Sequence, residues 1–401
     1  MRLEVGVEIN GRTLKAGWLF HDFQRGKEFS TFEYSAEYLS DKYAYNLSPE
    51  FELYSGAQPS FSALPASFSD SAPDRWGRNL IAKKIRAGEP LRKISELDYL
   101  LGVSDESRIG AMRFSDPINA QAGQSEQIPP LIELPRLLAA SRLQESGDFA
   151  AVKELLGAGS ASLGGARPKA QIRDLGDLWI AKFPHQSDEW DVMAFEKLAL
   201  DLAQSYGITT PESRLVNLDG KSVLLSRRFD RKDNSRIGYQ SFMTALLKSD
   251  GVSADYLELA EHISRVGTGV TRDLRQLYLR VAFSIAIRNT DDHLRNHALL
   301  RNPQGWDLSP AFDINPNPFM ETELRATTIA GASGAEAEFN ALIDNAQYFD
   351  MGRSEALGLL RELPLVLDLA SQFCVELGIS KAEFEPFREV FENNRRLIFN
   401  L

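Results

Sequence analysis

Residues 289–297 read NTDDHLRNH and bring two aspartates, two histidines and two asparagines into one short stretch. The histidines suggest a metal first. His293 and His297 are four apart, so on a helix they would share a face, as paired zinc-binding histidines do. However, Leu294 stands where a metalloprotease needs its catalytic glutamate, and no third histidine or glutamate lies nearby to complete a ligand set. The bland alternative is a helix that ends near Arg288, with Asn289 and Thr290 terminating it and Asp292 and His293 in a solvated loop.

Phosphoryl transfer makes a third demand. It needs a carboxylate to take the nucleophile's proton and oxygen ligands to hold Mg²⁺ on the phosphates. Protein kinases meet it with an aspartate followed five positions later by an asparagine, the spacing of Asp291 and Asn296; Asp292 at that spacing meets His297. Spacing alone decides nothing, because Asp41 and Asn46 repeat it in a strand-and-turn region.

The flanks add weight. Downstream, a hairpin turning at 302–305 leads to Asp313 behind Ala311-Phe312, where a second aspartate could reach a metal; otherwise Asp313 caps the turn DINPNP. Upstream, Gly164-Gly165 would let backbone N–H groups approach phosphate oxygens, although an isolated Gly-Gly is usually a turn. Leu178, Ile180 and Lys182 alternate along one strand, which puts the lysine on an apolar face in need of a partner. An ATP phosphate and Glu196 in the next helix are candidate partners; a lysine bending back to water is the alternative. Taken in order, these parts are glycine loop, strand lysine, helix glutamate, hairpin, helical region, D-x-x-x-x-N, hairpin and second aspartate. That is the order phosphoryl transfer requires.

The elements that must position them are set by pattern. The opening strands alternate polar and apolar residues about Asn10-Gly11, a tight hairpin signal. A helix is expected from Pro73 or Asp74 to Gly88, with Ser71 as its cap. Residues 115–130, poor in apolar side chains, read as a linker. Hairpins are expected at Leu175-Gly176 and Asp219-Gly220, and a helix between them buries 192, 195, 199 and 202 before Gly207. From about 240 the pattern is mainly helical, with Leu274, Leu277, Tyr278, Val281 and Ile285 on one face. The expected plan is an α+β, two-lobed unit behind an extra N-terminal module: 1–114, the linker 115–130, a small lobe over 131–230 and a helical lobe over 231–401.

The totals constrain partners. A net charge of −11 argues against a surface built to coat nucleic acid. The single cysteine, Cys374, excludes an internal disulfide and a cysteine-based zinc site, and fits a reducing cytosol. No signal-like segment opens the chain and no apolar run reaches membrane-helix length, so no membrane association is expected.

The chain resembles the HipA family of bacterial serine/threonine kinases, the toxin halves of toxin–antitoxin pairs. The resemblance rests on SLGGARPK (162–169), WIAKFP (179–184), NTDDHLRN (289–296) and LSPAFDINP (308–316), with DRWGRNL and RIGAMRF near the N-terminus. It implies a two-lobed, protein-kinase-like fold with an N-terminal α/β subdomain, a small ATP-binding lobe and an all-helical C-terminal lobe. Asp291 would be the catalytic base, and Asn296 and Asp313 would hold Mg²⁺. Lys182 would contact the ATP phosphates with Glu196 as its anchor, and backbone groups from Ser226 through Arg227 to Phe229 would receive adenine. Family members autophosphorylate a serine of the glycine-rich loop; Ser162 occupies that position, with Ser160 a second candidate. Phosphate there would place negative charge where that of ATP must sit. The implied partners are a small helix-turn-helix antitoxin of the HipB kind, which would supply any DNA contact, and a protein substrate of the aminoacyl-tRNA synthetase class. In this chain Arg167-Pro168 precedes Lys169 where other members often carry Gln-Glu, and Ile-Asn follows Asp313 instead of Phe-Gly. Two other functions fit the same residues: an antitoxin-binding co-repressor with little activity, and a small-molecule kinase with a pocket in 318–401.

Overall fold

The structure is a computed structural model that describes residues 1–117, 128–145, 147–162, 167–233, 235–319 and 325–401, and the side chain of Ser162 also lies outside the description. Most of the linker expected at 115–130 and both loop glycines, Gly164 and Gly165, therefore fall outside the described residues. The fold is α+β, and the chain packs as two compact units: Met1–Gln186 with Leu225–Gln240, and Ser187–Leu224 with Ser241–Leu401.

The first unit begins with a five-stranded sheet of order β4-β3-β2-β1-β5. Its strands are β1 (Arg2–Ile9), β2 (Arg12–Gln24), β3 (Lys27–Tyr34), β4 (Ala57–Pro59) and β5 (Met112–Ser115). The alternation read from sequence is the cause: Leu3, Val5 and Val7 are buried on one face of β1, packed with Leu19, Phe32 and Phe68. Asn10 and Gly11 both have positive φ (51° and 73°), the backbone that a two-residue primed turn requires. The helix Arg75–Gly88 takes Asp74, not Ser71, as its N-cap; Ser71 instead ends the short helix Ala66–Asp70. Two turn-forming residues stand close together, and the one whose carboxylate reaches the Gly77 N–H holds the cap.

Strands β6 (Lys169–Asp174) and β7 (Asp177–Lys182) pair antiparallel about Leu175-Gly176, with Lys169 opposite Lys182. Here one expectation is corrected. The deep face of β7 carries Trp179 and Ala181 and continues to Phe183, whereas Ile180 and Lys182 are only half-buried. Alternation is present, but both faces carry apolar residues, so composition does not reveal which is inside. Lys169, across from Lys182, is the buried lysine of the pair.

In the second unit the helix Val192–Ser205 buries Val192, Phe195, Ala199 and Leu202 as its period requires. Strands β8 (Ser213–Leu218) and β9 (Lys221–Arg227) come next in the chain, turning through Asp219 and Gly220 at positive φ, and β9 runs on into the first unit from Leu225. The central helix Val270–Ala286 sinks Leu274, Leu277, Tyr278, Val281 and Ile285 into one core with helices Ala335–Asp344, Arg353–Asp368 and Lys381–Phe399. Among the described residues after Ser241 helices predominate, and the strands are short, chiefly the expected hairpin, Ala298–Arg301 with Trp306–Leu308. Among the described residues no helix is long and apolar enough to cross a membrane.

Candidate active site

Residues 289–297 are positioned by the way the central helix stops. Arg288 adopts the left-handed conformation (φ 58°). Its N–H bonds to the Ile285 carbonyl at 3.1 Å, and that of Asn289 to the Ser284 carbonyl at 2.9 Å. This pair of bonds closes the last turn and redirects the chain sharply, a role usually given to glycine. The chain then runs through an extended stretch and a single 3-10 turn, Leu294–Asn296, before the outgoing strand starts at Ala298. Asn296 Nδ2 donates to the Asp291 carbonyl at 2.9 Å, which closes the loop on itself and gives the five-residue spacing a structural meaning.

The segment carrying Asp313 lies against this loop. Asn317 Nδ2 donates to Thr290 Oγ1 at 3.0 Å, and Arg325 donates to the Asn289 carbonyl. Asp313 itself has positive φ (58°), a sharp bend directly after the buried Ala311. The three residues Asp291, Asn296 and Asp313 thus sit on two mutually bonded segments of one unit. Partial desolvation raises the Asp291 carboxyl above its ordinary value; the charges of Asp313 and Asp292 add to this and His293 opposes it. Asp291 remains exposed to solvent, whereas Asn296 is buried.

Asp292 is the opposite of its neighbour. It is buried, its Oδ2 accepts from the Tyr256 hydroxyl and, at 2.8 Å, from Ser284 Oγ, and its Oδ1 lies 2.8 Å from His297 Nε2. Burial alone would raise its pKa, but His297, Arg325 and the Tyr256 hydrogen bond hold the carboxyl well below the usual carboxylate range. Asp292 and His297 therefore form an anchor under the loop. Sequence reading assigned neither this role: Tyr256 lies 36 residues before Asp292, and Ser284 reaches it only because the helix end folds the loop back. His293, half-buried, keeps Nδ1 without a hydrogen-bond partner among the described residues.

The donor set here is oxygen: the carboxylate of Asp313 and the carboxamide of Asn296. That suits a hard divalent cation such as Mg²⁺, which takes one or two protein oxygens and completes its shell with phosphate and water. Asp313 acts on Asp291 as a like charge, which a divalent cation held there would relieve. Among the described residues there is no cluster of three or more His, Cys, Asp and Glu side chains able to hold a metal.

The remaining expected positions are spread over both units. Lys182 ends β7 in the first unit. Arg227 ends β9 with its side chain turned to Asp177, 2.8 Å away, and Phe229 is half-buried just beyond. Glu196 is buried in the helix Val192–Ser205 of the second unit. Ser160 is fully buried in the 3-10 turn Ser160–Ser162, its hydroxyl unpartnered among the described residues.

Residues 161–366 match the family model described as HipA-like C-terminal domain, and residues 7–115 match the HipA N-terminal domain. A curated protein of Sinorhizobium fredii (strain NBRC 101917 / NGR234), named "Putative kinase Y4dM", is 29% identical over 170 residues. That match spans 37% of this chain and 40% of the relative, less than two thirds of the relative's length. Among solved structures, the fold is similar to that of a chain in the Shewanella oneidensis MR-1 complex of HipA, HipB and operator DNA. The TM-score is 0.69 at 14% identity, covering 99% of this chain and 97% of that one. The Helicobacter pylori proinflammatory kinase CtkA overlaps less, at TM-score 0.40 and 13% identity over 58% of this chain and 91% of that one.

Proposed function

The chain belongs to the HipA family, and on that premise we propose that it is an ATP- and Mg²⁺-dependent protein serine/threonine kinase, the growth-inhibiting toxin of a toxin–antitoxin pair in the bacterial cytosol. The observation that carries this reading is the closed loop of Asp291 and Asn296 bonded to the segment that bears Asp313. In the proposed step a serine hydroxyl oxygen bonds to the γ-phosphorus of ATP, the bond from that phosphorus to the β–γ bridging oxygen breaks, and ADP leaves. The hydroxyl proton passes to the Asp291 carboxylate, whose raised affinity for protons suits a base that must accept one. Asn296 and Asp313 would hold Mg²⁺, which when bound neutralises charge on the phosphate oxygens. Gly164, Gly165 and Lys182 would serve the phosphates, and backbone groups from 226 to 229 the adenine. Within 160–162, complete burial of Ser160 favours Ser162 as the residue modified.

The HipB-like partner rests on family membership and on likeness to a chain from a complex containing HipA, HipB and operator DNA. With a net charge of −11, this chain would reach DNA through that basic partner. An aminoacyl-tRNA synthetase is the target class the family resemblance suggests. The test is incorporation of label from γ-labelled ATP into the purified protein. Label should appear on Ser162, vanish in Asp291→Asn and fall sharply in Ser162→Ala, while Ser160→Ala retains it. Labelling that survives Asp291→Asn would remove the aspartate from its role.

A further inference from the structure

We infer that the cleft between the end of helix Val270–Ala286 and the start of helix Ala335–Asp344 is a binding site for a phosphomonoester dianion. The second helix begins at Gly334 (φ 88°) with no side-chain cap, so the N–H groups of its first turn meet the cleft with the positive end of the helix dipole. A cavity of about 590 Å³ opens there, lined by Arg288, Ser333, Gly334, Ala335 and Asn340, and its volume lies within the range of small-molecule sites. An adjoining recess of about 40 Å³ adds Thr290 and Arg325.

Arg325 is the independent observation. Its side chain is only 6% exposed, with Nε 2.7 Å from Glu338 Oε1. Nη1 donates to the Asn289 carbonyl, and Nη2 is buried with no hydrogen-bond partner among the described residues. A buried guanidinium N–H without an acceptor is costly, and an oxyanion in the recess would supply one. Glu338 carries a single negative charge, and the guanidinium groups of Arg325 and Arg288 both act on it electrostatically. Arg325 acts on the buried Asp292 carboxylate as well, so what the recess offers an anion is the unpartnered Nη2 and the helix terminus. Glu336, exposed in the first turn, works against an anion and weakens the site without closing it.

The donors come from three directions: helix N–H groups, Arg325 Nη2 and the Arg288 guanidinium. A tetrahedral group with several terminal oxygens can meet all three, whereas a planar carboxylate offers two oxygens. The group could arrive as free phosphate or on a phosphorylated side chain. Because Arg325 also holds the Asn289 carbonyl, occupancy would steady the loop that carries Asp291. The site itself stands whether or not the chain transfers phosphate.

Calorimetric titration of the full chain with inorganic phosphate, with a phosphoserine peptide and with its unphosphorylated twin tests this. Saturable binding of one or both phosphate-bearing probes, and none of the twin, is expected. Tighter binding of the peptide identifies a protein-borne phosphate, and equal binding a free one; both outcomes support the site. Arg325→Met should weaken binding about tenfold or more, the usual effect of losing a hydrogen bond to a charged group. Ser333→Glu should abolish it, and Glu336→Gln should tighten it. Ser333 is exposed, so Ser333→Glu decides the matter even if Arg325→Met fails to fold. Phosphate held by nucleotide-binding residues would survive Ser333→Glu, and that result, like no saturable binding at all, overturns the inference.

Discussion

Asp291 and Asp292 are adjacent in sequence and opposite in environment. Asp292 is a buried anion with three partners, and truncating it strands His297 and the Tyr256 hydroxyl under the loop. Asp292→Ala should therefore lower stability by about 3 kcal/mol, the scale for breaking a buried charge pair. Asp291→Asn, at an exposed position, should change stability by less than about 0.5 kcal/mol, and chemical denaturation of the two variants compares them directly. The depressed carboxyl of Asp292 makes stability depend on pH. Its contribution is complete above the ordinary aspartate value, about 4, and is lost as pH falls below it, so Asp292→Asn should flatten the acid limb of stability against pH. Nothing local in the sequence separates the two aspartates. The spacing from Asp291 to Asn296 was readable because both ends belong to one loop. The hold of Tyr256 on Asp292 and of Arg325 on Asn289 comes from residues that only folding brings near.

Elements were most legible where the backbone leaves few choices. Asn10-Gly11 and Asp219-Gly220 name their turns because left-handed conformations tolerate few residue types. Leu175 is the exception, a branched apolar residue in the left-handed region. It opens the β6–β7 turn at φ 49° and is 98% exposed, so it contributes strain and no burial. Leu175→Asn should raise stability by about 0.5–1 kcal/mol, readable as a higher melting temperature with unchanged spectra. Where both faces of an element are apolar, pattern fails. In β7, Ile180 and Trp179 are equally plausible inward residues, and only packing picks Trp179. The central helix is clear from its period and its end near Arg288 is readable, but the turn that makes that end is not, since Arg288 takes a conformation that the sequence would reserve for glycine or asparagine.

At the scale of the molecule, the N-terminal sheet reads in sequence as a separate module, and residues 7–115 match a family model of their own. Within the first unit it is nevertheless tied to a strand end far along the chain. Arg228 Nη1 donates to the Ser107 carbonyl at 2.6 Å and to Gln171 Oε1 at 2.7 Å, and Asp230 Oδ2 accepts from the Gly110 N–H at 2.8 Å. Arg228 and Arg231 both pair with Asp230 at 2.6 Å. Burial would raise the Asp230 carboxyl, but Arg228, Arg231 and the Gly110 N–H hold it well below the usual range. Burial lowers the Arg231 guanidinium to about 9, against the pull of Asp230. A network this deep is favourable only when complete, because each remaining charge was desolvated for a partner. Removing residues 1–115 takes away the Ser107 and Gly110 groups together with the Arg108 carbonyl, which accepts from Arg228 and Arg231, so the shortened chain should fail to give a cooperative thermal transition. Asp230→Ala in the intact chain should cost about 3–5 kcal/mol for the same reason. A truncated chain that melts cooperatively near the wild-type temperature would show that the module is an appendage and that Arg228 finds water or another acceptor. The loss should be greatest above about pH 4, where Asp230 is ionised in folded and unfolded chains alike, and should shrink on acidification as the wild type loses the same contribution.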